Sequence, residues 1–96
     1  MQKPLVIVDV DTNQRFELTG KALVSIGRDA DNDIVLKNDP AALSCHALLT
    51  FAKDGYWLED LGTACGTFVN HERIEKAVVV TAGDTILIGR TRLVVE

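Results

Sequence analysis

An all-β sandwich is the fold class predicted for this chain, and three features of the sequence predict it. The apolar runs are short, as in Leu5–Val8, Val78–Val80 and Ile86–Ile88. Turn-forming residues separate them at the close spacing of a sandwich or barrel. No segment sustains the 3.6-residue apolar period of a long amphipathic helix. The 96 residues are enough for one core, and no repeat, linker or low-complexity tract divides them.

Each strand follows from its residues in order. Leu5-Val6-Ile7-Val8-Asp9-Val10 is rich in β-branched side chains and closes on Asp11-Thr12-Asn13-Gln14. Phe16 and Leu18 alternate with Arg15, Glu17 and Thr19, and Gly20-Lys21 then turns the chain into Leu23-Val24-Ser25-Ile26. The polar Asp29-Ala30-Asp31-Asn32 loop precedes Ile34-Val35-Leu36, and Asn38-Asp39-Pro40 opens the next loop. Ala47, Leu49 and Phe51 share one strand face, and Asp54-Gly55 is the expected hairpin turn into Tyr56-Trp57-Leu58-Glu59. Thr67–Asn70, Ala77–Val80, Thr85–Ile88 and Leu93–Val95 complete about ten strands, with Gly83-Asp84 as a turn. Only Lys37–Ala42 and Glu72–Lys76 have room for a helical turn. Trp57 alternates with Tyr56 and Leu58, which places it half-buried on the open face of its sheet.

Composition narrows the function. Hydrophobic residues are 47% and charged residues 25% of the chain, ordinary values for a globular domain. A net charge of −4 argues against nucleic acid, which needs a basic face, and against an anionic membrane surface. No apolar run reaches a transmembrane length, and Asp9 and Asp11 interrupt any signal-peptide core, so a cytoplasmic location is expected. Cys45 and Cys65 lack metal-type spacing and are too few for a disulfide framework; small thiols in a reducing compartment are the plain reading. No nucleophile–base pair surrounds His46, so neither an enzyme nor a metal or organic cofactor is expected.

What stands out chemically is Gly27-Arg28 on one loop together with Asp60-Leu61-Gly62-Thr63-Ala64-Cys65-Gly66-Thr67-Phe68-Val69-Asn70 on another. An Arg facing hydroxyls and backbone amides is a way to hold an anion or phosphate. The alternative for Arg28 is a loop anchor, paired with Asp29, Asp33 or Asp60. Gly27, Gly62 and Gly66 supply positive φ or close backbone approach. Asp60 and Asn70 fix turns through side-chain bonds to backbone.

These segments, with Ser25-Ile26-Gly27-Arg28, Asp33–Leu36, His46-Ala47 and Gly83–Gly89, resemble the forkhead-associated (FHA) domain in order and spacing from about residue 23 to 89. The resemblance implies an eleven-stranded β-sandwich, residues 1–96 as one FHA-like domain of a larger protein, and loops at one end that bind phosphothreonine peptides. By the same resemblance Arg28 contacts phosphate and His46 braces the loops. This chain departs from the family at three positions. Leu43 stands three residues before His46, where the family has Ser, and Ser44 lies only two before it. Ala64 replaces a phosphate-contacting hydroxyl residue, and Cys65 replaces an Asn that holds the peptide backbone.

The ligand candidates are therefore Arg28, Ser44, Thr63, Cys65, Thr67 and Asn70, supported by Gly27, His46, Asp60, Gly62 and Gly66. With a degenerate loop set, the expected function is a non-enzymatic interaction module that takes a protein or peptide partner without phosphate. Degenerate members of the family serve as cytoplasmic parts of larger assemblies such as bacterial secretion systems. The alternative is a phosphothreonine-peptide reader using Arg28, Ser44, Thr63 and Thr67. Cys45 and Cys65, both on ligand-end loops, would lock them if oxidised within disulfide reach.

Overall fold

The computed structural model describes residues 5–18 and 20–96; Met1-Gln2-Lys3-Pro4 and Thr19 lie outside the described residues. Eleven strands are found among the described residues: β1 (Val6–Asp9), β2 (Arg15–Glu17), β3 (Leu23–Gly27), β4 (Ile34–Val35), β5 (Ala47–Ala52), β6 (Gly55–Asp60), β7 (Thr67–Val69), β8 (Glu72–Arg73), β9 (Val78–Val80), β10 (Thr85–Ile88) and β11 (Thr91–Val95). They form a six-stranded sheet in the order β2-β1-β11-β10-β7-β8 and a five-stranded sheet in the order β4-β3-β5-β6-β9. All the strand pairs are antiparallel except β3 with β4.

Alternation decides which side chains meet between the sheets. Ile7, Ile86, Ile88 and Leu93 from one sheet and Val24, Ile26, Leu49 and Leu58 from the other are fully buried. Burying each such side chain contributes roughly 1.5–3 kcal/mol. Tyr56 caps one side of this core, its ring 5.0 Å from that of Phe51 and tilted by 59°.

Three local details differ from the sequence expectation. The β5–β6 hairpin turns on Lys53 and Asp54, with φ of 51° and 62°, while Gly55 already pairs with Ala52. Two consecutive left-handed residues make the primed turn that a two-residue hairpin needs, so Asp54 and its neighbour Lys53 carry a conformation that glycine would hold more easily. Glu72 and Arg73 form β8, paired with Val69 and Phe68, instead of a helical turn. Positive φ at Asn70 (50°) and His71 (74°) makes that hairpin. Lys37–Ala42 is a chain of turns, with Asp39 N–H donating to Leu36 O and Ala42 N–H to Asp39 O.

One end of the sandwich gathers the segments that follow β3, precede β5 and follow β6. Arg28 N–H donates to Leu43 O (2.8 Å), Leu36 N–H to Gly27 O (2.7 Å) and Leu61 N–H to His46 O (3.0 Å). These bonds stitch three loops together, and the Lys53–Asp54 hairpin lies at the opposite end of β5 and β6.

Candidate functional site

The organising group of this end is the Asp60 carboxylate at the end of β6. One oxygen accepts the hydroxyls of Thr63 (2.6 Å) and Thr67 (2.7 Å), and the other accepts Thr63 N–H (2.8 Å). Burial pushes this carboxyl up, yet the two threonine hydroxyls, the Thr63 amide and the nearby His46 outweigh it and hold Asp60 below its ordinary range. Thr63 Oγ1 in turn accepts Gly66 N–H at 3.0 Å, which closes the loop on itself. Thr63 and Thr67 are thereby buried, with their hydroxyls committed to the protein.

His46, fully buried, ties this loop to the segment before β5. Its Nδ1 accepts Leu43 N–H (3.2 Å), so the proton is assigned to Nε2, which donates to Gly66 O (3.0 Å) beside Thr63 Oγ1 (3.2 Å). Gly27 allows the closest approach. A Cβ there would stand 2.3 Å from Ser44 O and 2.8 Å from Cys45 Cα, so only glycine lets Ser44 lie against β3. Gly62 and Gly66, with φ of 78° and 81°, give the loop its left-handed steps.

These contacts bring Arg28 and Ser44 together. Their backbones run side by side, Arg28 N–H bonding Leu43 O and Asp29 N–H bonding Ser44 O. Both residues are exposed, and no hydrogen bond or ion pair engages either side chain within the described residues. Two of the three acidic groups that would make Arg28 an anchor are engaged elsewhere: Asp33 with Lys21 (2.9 Å) and Ser25, Asp60 with the threonines. The Ser25 amide and Lys21 hold the Asp33 carboxyl below its ordinary value. Asp29 carries no ion pair among the described residues.

In the loop after β6, Ala64 and Cys65 are exposed, and neither backbone amide has an acceptor among the described residues. The Cys65 thiol donates to Ala41 O at 3.3 Å, which holds this loop against the segment that carries Ser44. Cys45 and Cys65 are free and exposed. Asn70 lies away from this group of contacts. Its amide donates to Asp84 (2.9 Å) and its oxygen accepts Thr85 N–H (3.0 Å), which ties the β7–β8 hairpin to β10. That bond from Asn70, with the Thr81 amide, lowers the Asp84 carboxyl.

Three residues that the sequence does not single out as site candidates also shape this end. Arg73 lies across Gly66 and donates to the carbonyls of Thr63 and Ala64, both at 3.3 Å. Asn32 donates to Asp29 O (2.9 Å) and to Ser44 O. Asp39, only 4% exposed, accepts Thr91 Oγ1 (2.7 Å), Arg90 N–H (2.8 Å) and Ala41 N–H (3.0 Å). Burial raises its carboxyl, and these bonds more than offset that and lower it. No spacing rule announces such long-range partners. The one local signal was Asn-Asp-Pro as a turn opener. Among the described residues no group of three or more His, Cys, Asp or Glu is placed to hold a metal ion.

Together these features define a β-sandwich whose loops at one end are tied into a single hydrogen-bonded unit. The chain belongs to the FHA domain family, whose model matches residues 24–89. It is 36% identical over 84 residues to the glycogen accumulation regulator GarA of Mycobacterium tuberculosis, covering 88% of this chain and 50% of that protein. It is 40% identical over 81 residues to the transcriptional regulatory protein EmbR of Mycobacterium bovis, covering 83% of this chain and 20% of EmbR. The chain thus spans about half the length of GarA, one of the curated relatives it matches. Among solved structures, M. tuberculosis EmbR in complex with a low-affinity phosphopeptide superposes with a TM-score of 0.90 and 31% identity, over 100% of this chain and 25% of EmbR. The N-terminal FHA domain of yeast Rad53p with a phosphothreonine peptide superposes with a TM-score of 0.85 over 97% of this chain and 92% of that one; at 17% identity this likeness concerns the fold.

Proposed function

We propose that this chain is a phosphothreonine-peptide-binding module, with Arg28 and Ser44 holding the phosphate and the Ala64 and Cys65 amides completing the cradle. The observation that carries this reading is the exposed Arg28 side chain, unengaged beside an equally unengaged Ser44. A guanidinium and a phosphate form paired, charge-assisted hydrogen bonds, and two adjacent backbone amides are the complementary half of an anion site. The phosphopeptide held by EmbR, which is 31% identical to this chain, supports the same ligand class.

The phosphate-independent reading rested on Ala64 and Cys65. Their side chains bring no hydroxyl and no carboxamide, but their amides are independent of side-chain identity. The substitutions therefore act on affinity. Losing one hydrogen bond to a charged group removes roughly 1.5–3 kcal/mol, about 10- to 150-fold. A site of about 1 μM would then bind in the range of about 10–150 μM. Thr63 and Thr67 serve the cradle indirectly, by locking the loop through Asp60. As an FHA domain the chain is a binding module without catalysis of its own, and we place it as one part of a larger signalling protein.

Fluorescence anisotropy with labelled phosphothreonine peptides and their unmodified counterparts tests the proposal. Binding is expected only for the phosphorylated set, weakened at least about tenfold by Arg28→Ala. Equal binding of both sets would return the site to phosphate-independent recognition.

A further inference from the structure

The outer face of the five-stranded sheet carries a row of side chains with no role at the loop end. Strand register sets Leu23, Thr50, Trp57 and Val79 side by side across β3, β5, β6 and β9. Leu23 is 53% exposed and Val79 43% exposed, while Trp57 is half-buried with its indole N–H donating to Ala52 O at 3.0 Å. Leu48, half-buried, and Ala52, exposed, flank Thr50 two residues away on either side of the row. A depression of about 260 Å³ lies over Trp57, with Lys53 and Glu59 among its lining residues. Glu59 sits beside Leu48 on one side of the row, and Lys53 lies on the other, past Ala52. Neither charge is engaged in an ion pair among the described residues.

We infer that this face is the dimerisation surface of the chain and that its occupant is a second copy packed face to face. A two-fold axis along the Leu23–Val79 row places Leu23, Thr50, Trp57 and Val79 each against its own counterpart. The same rotation exchanges the two sides of the row. Lys53 then meets Glu59 of the other copy twice over, and the larger Leu48 meets the smaller Ala52. One symmetry operation therefore satisfies both the apolar strip and the unpaired charges, the self-complementarity an isologous interface requires. Sheets packed this way lie about 10 Å apart, near enough for these side chains to interdigitate. The Lys53–Asp54 hairpin lies at the end of β5 and β6 away from His46 and Asp60, so both ligand ends stay open. A dimer would thus be bivalent.

Sedimentation velocity on the 96-residue chain, from about 5 to about 500 μM, reads the mass directly; Trp57, the single tryptophan, reports burial by a blue shift of its emission over the same range. A concentration-dependent rise to twice the monomer mass, with the blue shift, is expected. Lys53→Glu should weaken association at least about tenfold by setting like charges face to face, and adding Glu59→Lys should restore it. Both positions are exposed, and circular dichroism checks that the variants remain folded. A constant monomer mass at 500 μM would overturn the inference and leave the face to a different partner. Failure of the folded double variant to recover association would overturn it equally.

Discussion

Replacing Asp60 by Asn removes the charge that organises the loop end of the sandwich, and the cost can be worked from its three bonds. The carboxylate accepts two hydroxyls on one oxygen, at 2.6 and 2.7 Å, and one amide on the other, at 2.8 Å. An asparagine oxygen placed toward the hydroxyls leaves its NH2 facing the Thr63 N–H, donor against donor. That unsatisfied pair costs about 1–3 kcal/mol, and the two remaining bonds fall from charged to neutral strength, about 1 kcal/mol each. The total is about 3–5 kcal/mol, which for a domain of this size lowers Tm by at least about 12 °C. Differential scanning calorimetry of wild type, Asp60→Asn and the exposed control Asp31→Asn measures it. The control should differ from wild type by less than about 0.5 kcal/mol. A fall below about 4 °C in folded Asp60→Asn, equivalent to about 1 kcal/mol, would refute the assignment of Asp60 as the organising acceptor.

Other outcomes follow from the same contacts. Asp33, Asp39, Asp60 and Asp84 all have folded-state carboxyls below the ordinary value of 3.8. A depressed carboxyl stabilises the fold above its unfolded value and loses that contribution as pH falls through the folded one. Denaturant midpoints should therefore show no loss from these four groups above about pH 5 and fall steeply below about pH 4; a midpoint unchanged at pH 3 would contradict their depression. In Gly27→Ala, the new Cβ at 2.3 Å from Ser44 O has backbone to displace, so phosphopeptide affinity should drop at least about tenfold in anisotropy while the sandwich stays folded. Arg73→Ala removes both bonds to the Thr63 and Ala64 carbonyls. Amide exchange at Thr63 and Gly66, whose N–H groups are bonded within the loop, should quicken with little change in global Tm, and unchanged exchange would show that Arg73 does not brace the loop.

The sandwich was legible because strand burial is written in period-two alternation. Val24 and Ile26 against Leu23 and Ser25, or Tyr56 and Leu58 against Trp57, state which face is core before any pairing is known. The Lys53–Asp54 turn was harder to place, because Gly55 looks like the turn residue yet already pairs with Ala52. β8 was hidden because Glu72 and Arg73 are both exposed and carry no apolar signal. At the loop end, motif order pointed to Arg28, and its neighbourhood needed coordinates. Whether a threonine hydroxyl faces a ligand or a buried carboxylate depends on a rotamer, and Thr63 and Thr67 both turn inward to Asp60. Ser44, one residue nearer His46 than the family pattern, still lies against Gly27 because the Arg28–Leu43 and Asp29–Ser44 backbone bonds hold it there.

The central claim is that the Arg28 end holds phosphothreonine. An amide-shift NMR titration with a phosphothreonine peptide and its unmodified twin tests it most directly. Saturable shifts confined to Arg28, Ser44 and residues 64–66, present only with the phosphorylated peptide, are the predicted result. Absence of shifts at millimolar phosphopeptide, or the same shifts with both peptides, would contradict it.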